Sequence, residues 1–154
     1  MYINQKYRFS FTPPPSGTNQ LNSQAIIATF YGPSDRDGFA NNISIAVQEG
    51  LISRDLYLGQ TLSQLVSMGF TPKGHRFVET SGREGILFEF SGNLLGRPLR
   101  YLSLALIDLE RVIILTATIP ENEFDKVKGE YETYLKSITF MSVAQATKET
   151  ASFQ

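Results

Sequence analysis

"RYLSLALIDLERVIILTATIPENEFDKVKGEYETYLKSITF", Arg100 to Phe140, changes its hydrophobic period once, and that change decides the fold. In its first part both alternate sets are apolar: Leu102, Leu104 and Leu106 against Tyr101, Ala105 and Ile107. The same holds past Arg111, with Ile113, Leu115 and Ile119 against Val112 and Ile114. A strand that is apolar on both sides is covered on both faces. The connection "DLER" (Asp108–Arg111) is too short for anything but an antiparallel return. After Pro120 the spacing becomes helical: Phe124, Val127, Tyr131, Tyr134, Leu135 and Ile138 form one stripe. Pro120 suits the first turn of that helix, where its missing N–H is not needed. Glu121, Glu123 and Asp125 fall at the positive end of the helix, and Lys126, Lys128 and Lys136 follow later. The stretch therefore predicts a sheet with layers above and below it, one layer being this last helix.

Upstream the same signals recur. Strands are expected near 75–80 and 85–91, joined by the hairpin-like "SGREG" (81–85). "GNLLGRP" (92–98) reads as a longer connection to the strand at 99–108. Leu58, Leu62, Leu65 and Val66 predict a helix near 61–68 or starting earlier, with Thr61 and Gln64 as a capping box and Gly69 just past its end. Earlier strands are expected at 7–11, 25–31 and 43–48. The first is stopped by Thr12-Pro-Pro-Pro-Ser-Gly17, since prolines cannot donate to a ladder. Loops are expected at 12–24 and 32–42. Residues 141–154, polar and rich in Ala and Thr, read as a loose tail after a single domain over 1–140.

Composition narrows the function classes. The chain has 154 residues, 42% apolar and 19% charged, enough for one domain with a real core. A net charge of −1 provides no basic field, so neither nucleic acid nor an anionic membrane surface is an expected partner. The longest aliphatic run, Val112 to Leu115, is far short of a bilayer span, so no direct insertion is expected. Without cysteine there is no disulfide, thiolate ligand or cysteine nucleophile. Met1 is followed by Tyr-Ile-Asn-Gln-Lys, which is not a signal peptide. The expected compartment is the cytoplasm, or an extracytoplasmic site such as the thylakoid lumen where a targeting segment has been removed. A monomer is expected.

Few residues carry chemistry. The single histidine, His75, shares a strand face with Phe77 and Glu79. Strand geometry puts Glu79 about 13 Å from it, too far for one metal ion. Asp35 and Asp37 have calcium-like spacing, but Ala40 and Ala46 stand where such a loop needs Gly and a bidentate Glu. Phe39 is an aromatic among polar loop residues, which suits either a partner anchor or a ring that folds back on the domain. Glu79, Glu84 and Glu89 read as cross-strand partners for Arg76, Arg83 or Arg100. No nucleophile elbow, phosphate loop or dinucleotide fingerprint is present. The expectation is a protein that is not an enzyme, with no catalytic residue, metal site or cofactor. Arg36, Phe39, Asp35, Asp37 and His75 are its candidate partner-binding residues.

The order of segments resembles the PsbP family of extrinsic photosystem II subunits and their bacterial relatives. The likeness is carried by "KYRFSFTPPPSG", "ATFYGPS", "NNISIAVQE", "DLYLGQTLSQLV", "GHRFVETSGREGILFEF" and the Arg100–Phe140 block. Within that block Thr116-Ala117-Thr118, Pro120-Glu121, Phe124, Lys126-Val127, Ser137 and Phe140 match the family pattern. Two features depart from it. Pro13-Pro14-Pro15-Ser16-Gly17-Thr18 replaces a Pro-x-Gly-Trp, and a histidine-rich metal surface has no counterpart. The resemblance implies an α+β fold, an α/β/α sandwich around a central, mainly antiparallel sheet. It implies a non-enzymatic accessory protein that docks on a membrane-bound complex and stabilises it or assists its assembly. In photosynthetic members that complex is photosystem II, where the family helps retain calcium and chloride for oxygen evolution. The same fold serves DcrB-like proteins, a Ran-binding nuclear import factor and secretion chaperones. The alternatives are therefore a small-ligand carrier, with Tyr101, Tyr131 and Tyr134 around a pocket between sheet and helix, or a chaperone for an apolar client helix.

Overall fold

The computed structural model describes residues 1–15, 18–20, 26–34 and 38–141. Its elements in chain order are β1 (Tyr2–Asn4), β2 (Phe9–Phe11), β3 (Thr18–Gln20), β4 (Ile26–Ser34), β5 (Ala40–Glu49) and α1 (Arg54–Ser67). They continue as β6 (Thr71–Thr80), β7 (Arg83–Leu94), β8 (Arg97–Asp108), β9 (Arg111–Pro120), α2 (Phe124–Leu135) and β10 (Thr139–Phe140). A seven-stranded sheet runs in the order β3-β4-β5-β9-β8-β7-β6, and β1-β2-β10 form a small second sheet. Every pairing described is antiparallel.

The long central strands follow from their turns. Ser81 and Gly82 both have positive φ, at 52° and 74°, which matches the twist of a two-residue hairpin between β6 and β7. Leu95 and Gly96, with φ of 51° and 80°, do the same between β7 and β8. "GNLLGRP" is thus not a long connection: the ladder continues through Gly92–Leu99, Asn93–Pro98 and Leu94–Arg97 up to a two-residue tip.

The strict alternation of β8 and β9 sends two sets of side chains to opposite faces. On one face Leu102, Leu104, Leu106, Ile113, Leu115, Ala117 and Ile119 are fully buried. Ile43, Ile45 and Phe30 extend this surface, and α2 covers it with Phe124, Tyr131 and Leu135. The small sheet lies on the same side, where Phe11 and Tyr2 meet Phe30 at 5.5 Å and 5.3 Å between ring centroids. The strand expected at 7–11 is therefore shorter and belongs to this second sheet. On the other face α1 packs through Tyr57 and Leu65 onto Ile86, Phe88 and Phe90. The two faces together give the α/β/α sandwich.

Both helices differ from their expected ends. α1 starts at Arg54, and its N-cap is Ser53, whose Oγ accepts from the Leu56 N–H at 3.3 Å. Thr61 lies inside the helix and caps nothing. Gly69 does take the left-handed conformation after the helix, with φ of 88°. Pro120 is not in the first turn of α2: it ends β9, and a turn over 121–123 intervenes. Ile138 falls beyond the helix but is still buried, because Ser137 turns the chain back toward β2. The tail expected at 141–154 lies, from residue 142, outside the described residues.

Candidate docking surface

The β7–β8 tip gathers an exposed apolar surface. Leu95 has a relative exposure of 101% and holds a left-handed backbone that L-residues adopt at a cost of about 1–2 kcal/mol. Asn or Gly is the ordinary occupant of such a position. Leu94 beside it is 55% exposed. The guanidinium of Arg97 stands 5.5 Å from the centroid of the Phe39 ring, joining the loop before β5 to this tip. Gly38, Phe39, Leu94, Leu95 and Arg97 line a hollow of about 320 Å³. On the other side of the tip an open groove of about 550 Å³ runs between Leu95–Pro98 and Pro120–Asn122. Leu95 thus projects between two concavities at one end of the sheet.

Of the candidate partner-binding residues, Phe39 lies in this surface. Asp35, Arg36 and Asp37 lie outside the described residues. His75 is elsewhere: it sits on β6, four strands from β5 and so about 19 Å across the sheet. It is exposed, with its ring 6.5 Å from Phe77 and 6.4 Å from Phe88. Leu94, Leu95 and Arg97 were missed because "GNLLGRP" read as a loop. The signal available was the dipeptide Leu95-Gly96 between two alternating runs.

A second polar cluster fastens α2 to the sheet. Glu89 receives Arg100 and, at 2.8 Å, the Lys128 ammonium. Arg100 also reaches Glu121 at 3.3 Å and lies 4.5 Å from the Phe124 ring centroid. Glu132 receives Arg76 at 2.7 Å and Lys136 at 3.2 Å. Burial pushes the Glu132 carboxyl up, but the two cations outweigh it and hold it below its ordinary value. The expected carboxylate pairings hold for Glu89 with Arg100, whereas Arg76 turns to Glu132 and Arg83 to Asp108 at 2.8 Å. Glu79 and Glu84 oppose each other across β6 and β7.

The space between sheet and α2 is small. A cavity of about 170 Å³ lies there, lined by residues that include Arg76, Glu89, Lys128 and Glu132. The three tyrosines expected around a pocket are split by the sheet. Tyr101 stacks on Phe90 at 4.8 Å on the α1 face, whereas Tyr131 and Tyr134 belong to α2. Among the described residues no three of His, Asp or Glu come together as a metal site.

No family model matches this sequence, and no curated protein matches it. Solved structures do. Cyanobacterial PsbP (CyanoP) of Synechocystis sp. PCC 6803 superposes with a TM-score of 0.68 at 18% identity, covering 91% of each chain. LpqN of Mycobacterium tuberculosis, a protein involved in cell envelope biogenesis, gives 0.70 at 14% identity over 87% of this chain and 83% of its own. PA94 of Pseudomonas aeruginosa, a protein of unknown function, gives 0.67 at 15% identity, over 79% and 86%. The fold is PsbP-like.

Proposed function

We propose that this chain is a non-enzymatic accessory protein that docks on a membrane-bound protein complex and stabilises it or assists its assembly. Photosystem II is the complex that the PsbP resemblance implies. One observation carries the docking: Leu95 is fully exposed in a backbone conformation that disfavours leucine, beside Leu94 and Phe39. A folded chain that keeps an apolar side chain there forgoes stability at a surface, as binding surfaces do. A partner would receive Leu95 as a knob and fill the flanking hollows with its own side chains.

Other readings have less support. A carrier needs a cavity of roughly 300–1,000 Å³, and the space under α2 is about 170 Å³ with its charges already paired. A catalytic reading would need a base, and the His75 ring has Phe77 and Phe88 for neighbours.

The test is a photo-activated cross-linker at position 95, with one at the exposed Thr133 as control, in membranes of the native host. Cross-linking of a single membrane-complex subunit from 95 and not from 133 is the expected result. Equal labelling from both positions, or labelling of no membrane subunit, overturns the reading. Leu95→Asn sharpens it. The substitution relieves backbone strain and should raise stability by about 0.5–1 kcal/mol while weakening partner binding. Unchanged binding by this stabilised variant would remove the role given to the tip.

A further inference from the structure

We propose that β6 is a self-complementary edge through which two copies of this chain join their sheets. Among the described residues β6 is the last strand of the seven-stranded sheet and pairs only with β7. An edge of this kind presents unpaired backbone groups to any other strand. Its start is protected: Pro72 cannot donate, Lys73 is charged, and the register shifts between Pro72 and Gly74. From Gly74 to Thr80 neither a proline nor a register shift interrupts the edge; its charges are Arg76 and Glu79, and His75, Arg76, Phe77 and Glu79 are all exposed.

The hairpin decides which backbone groups are free. Thr80 and Arg83 flank the two-residue turn, so they exchange both hydrogen bonds. Antiparallel pairs alternate, which makes Val78–Gly85 and Arg76–Leu87 the next hydrogen-bonded pairs. The N–H and C=O of His75, Phe77 and Glu79 therefore point outward along the edge.

The side chains select one register. Antiparallel pairing about a two-fold axis at Phe77 sets Phe77 against Phe77 and Arg76 against Val78. It also sets His75 against Glu79, twice by symmetry. His75 donates to the Glu79 carboxylate whether the imidazole is neutral or charged. Phe77, 47% exposed, gains a partner ring under the Arg54 guanidinium that already lies 4.1 Å from it. Arg76 brings no uncompensated charge to the seam because Glu132 holds it at 2.7 Å. Neighbouring registers are worse. An axis at Arg76 opposes two arginines, and one at Glu79 opposes two glutamates. An axis at Val78 faces Phe77 with Glu79, and one at His75 runs the ladder into the irregularity at Pro72. The pairing departs from the monomer expected from the sequence. It points the two Leu95 tips in opposite directions, so both remain accessible, and it does not rest on the docking proposal.

Sedimentation equilibrium of the full chain, from about 1 μM to about 1 mM, spans the range in which so small a seam would show. The expected result is a mass rising with concentration from 17.2 kDa toward twice that value. Glu79→Lys should weaken the dimer at least about tenfold, and His75→Glu added to it should restore pairing. Phe77→Pro should abolish it while leaving the β6–β7 ladder intact, because the lost N–H faces outward. Hydrogen exchange provides a readout that needs no variant. The amides of His75, Phe77 and Glu79 gain protection with concentration, whereas those of Arg76 and Val78 are protected throughout. A mass of 17.2 kDa across the whole range overturns the proposal. So does a dimer that Glu79→Lys and Phe77→Pro leave unchanged.

Discussion

The two faces of the central sheet are built differently. The α2 face is aliphatic and closed, with Leu102, Leu104, Leu106, Ile113 and Leu115 at 0–1% exposure. A helix and a second small sheet both lie on it, and two groups of ion pairs rim the helix. The α1 face is aromatic and covered in part. Ile86, Phe88 and Phe90 pack under Tyr57 and Leu65 of α1, but Tyr101, Ile107 and Ile114 stay half-buried. Toward β4 and β5 that face turns polar, with Ser103 and Thr116 sharing a hydrogen bond of 2.8 Å and Tyr31 exposed. Stability thus concentrates on one face of a sheet whose strands are nearly symmetric in sequence.

The largest expected effect tests that asymmetry directly. Phe124→Ala empties a fully buried site on the α2 face and should cost about 3–5 kcal/mol in urea unfolding. Leu65→Ala on α1, at the buried margin, should cost about 2 kcal/mol. Equal losses would break the comparison. Two glycines sharpen it at smaller scale. A Cβ on Gly85, on the α2 face, would sit 2.4 Å from the backbone oxygen of Ala105. A Cβ on Gly92, on the α1 face, would sit 2.5 Å from the Phe70 ring. A backbone cannot retreat as a ring can, so Gly85→Ala should lose about 2–3 kcal/mol and Gly92→Ala about 1 kcal/mol by thermal unfolding. The smallest effect concerns acid. Glu132 has a folded-state pKa below its unfolded value of 4.5. Its stabilisation is present above that value and is lost as pH falls through the lowered folded value. Glu132→Gln should cost about 0.2–1 kcal/mol at neutral pH and flatten the acid limb of the stability curve.

Much of this was legible from residue order. The double apolar alternation of Tyr101–Ile119 and the stripe from Phe124 to Ile138 dictate a sheet covered by a helix, because period and burial are local properties of the chain. The antiparallel returns followed from short connections, and Gly69 marked a helix end through its own backbone freedom. Three things needed the tertiary structure. The dipeptide Leu95-Gly96 offered a turn, but only the register of β7 against β8 fixed it as the two-residue tip of one ladder. The split of Tyr101 from Tyr131 and Tyr134 depended on which strand face each helix covers, and an alternation apolar on both sides cannot state that. The separation of His75 from Phe39 came from strand order, which brings β9 between β5 and β8 and leaves β6 at the edge. Sequence by itself determined the two-sided burial of the central strands and the apolar stripe of the last helix, since those follow from side-chain chemistry at short range. Which surfaces lie together was decided by long-range pairing, whose partners are set by the packing of the whole sheet.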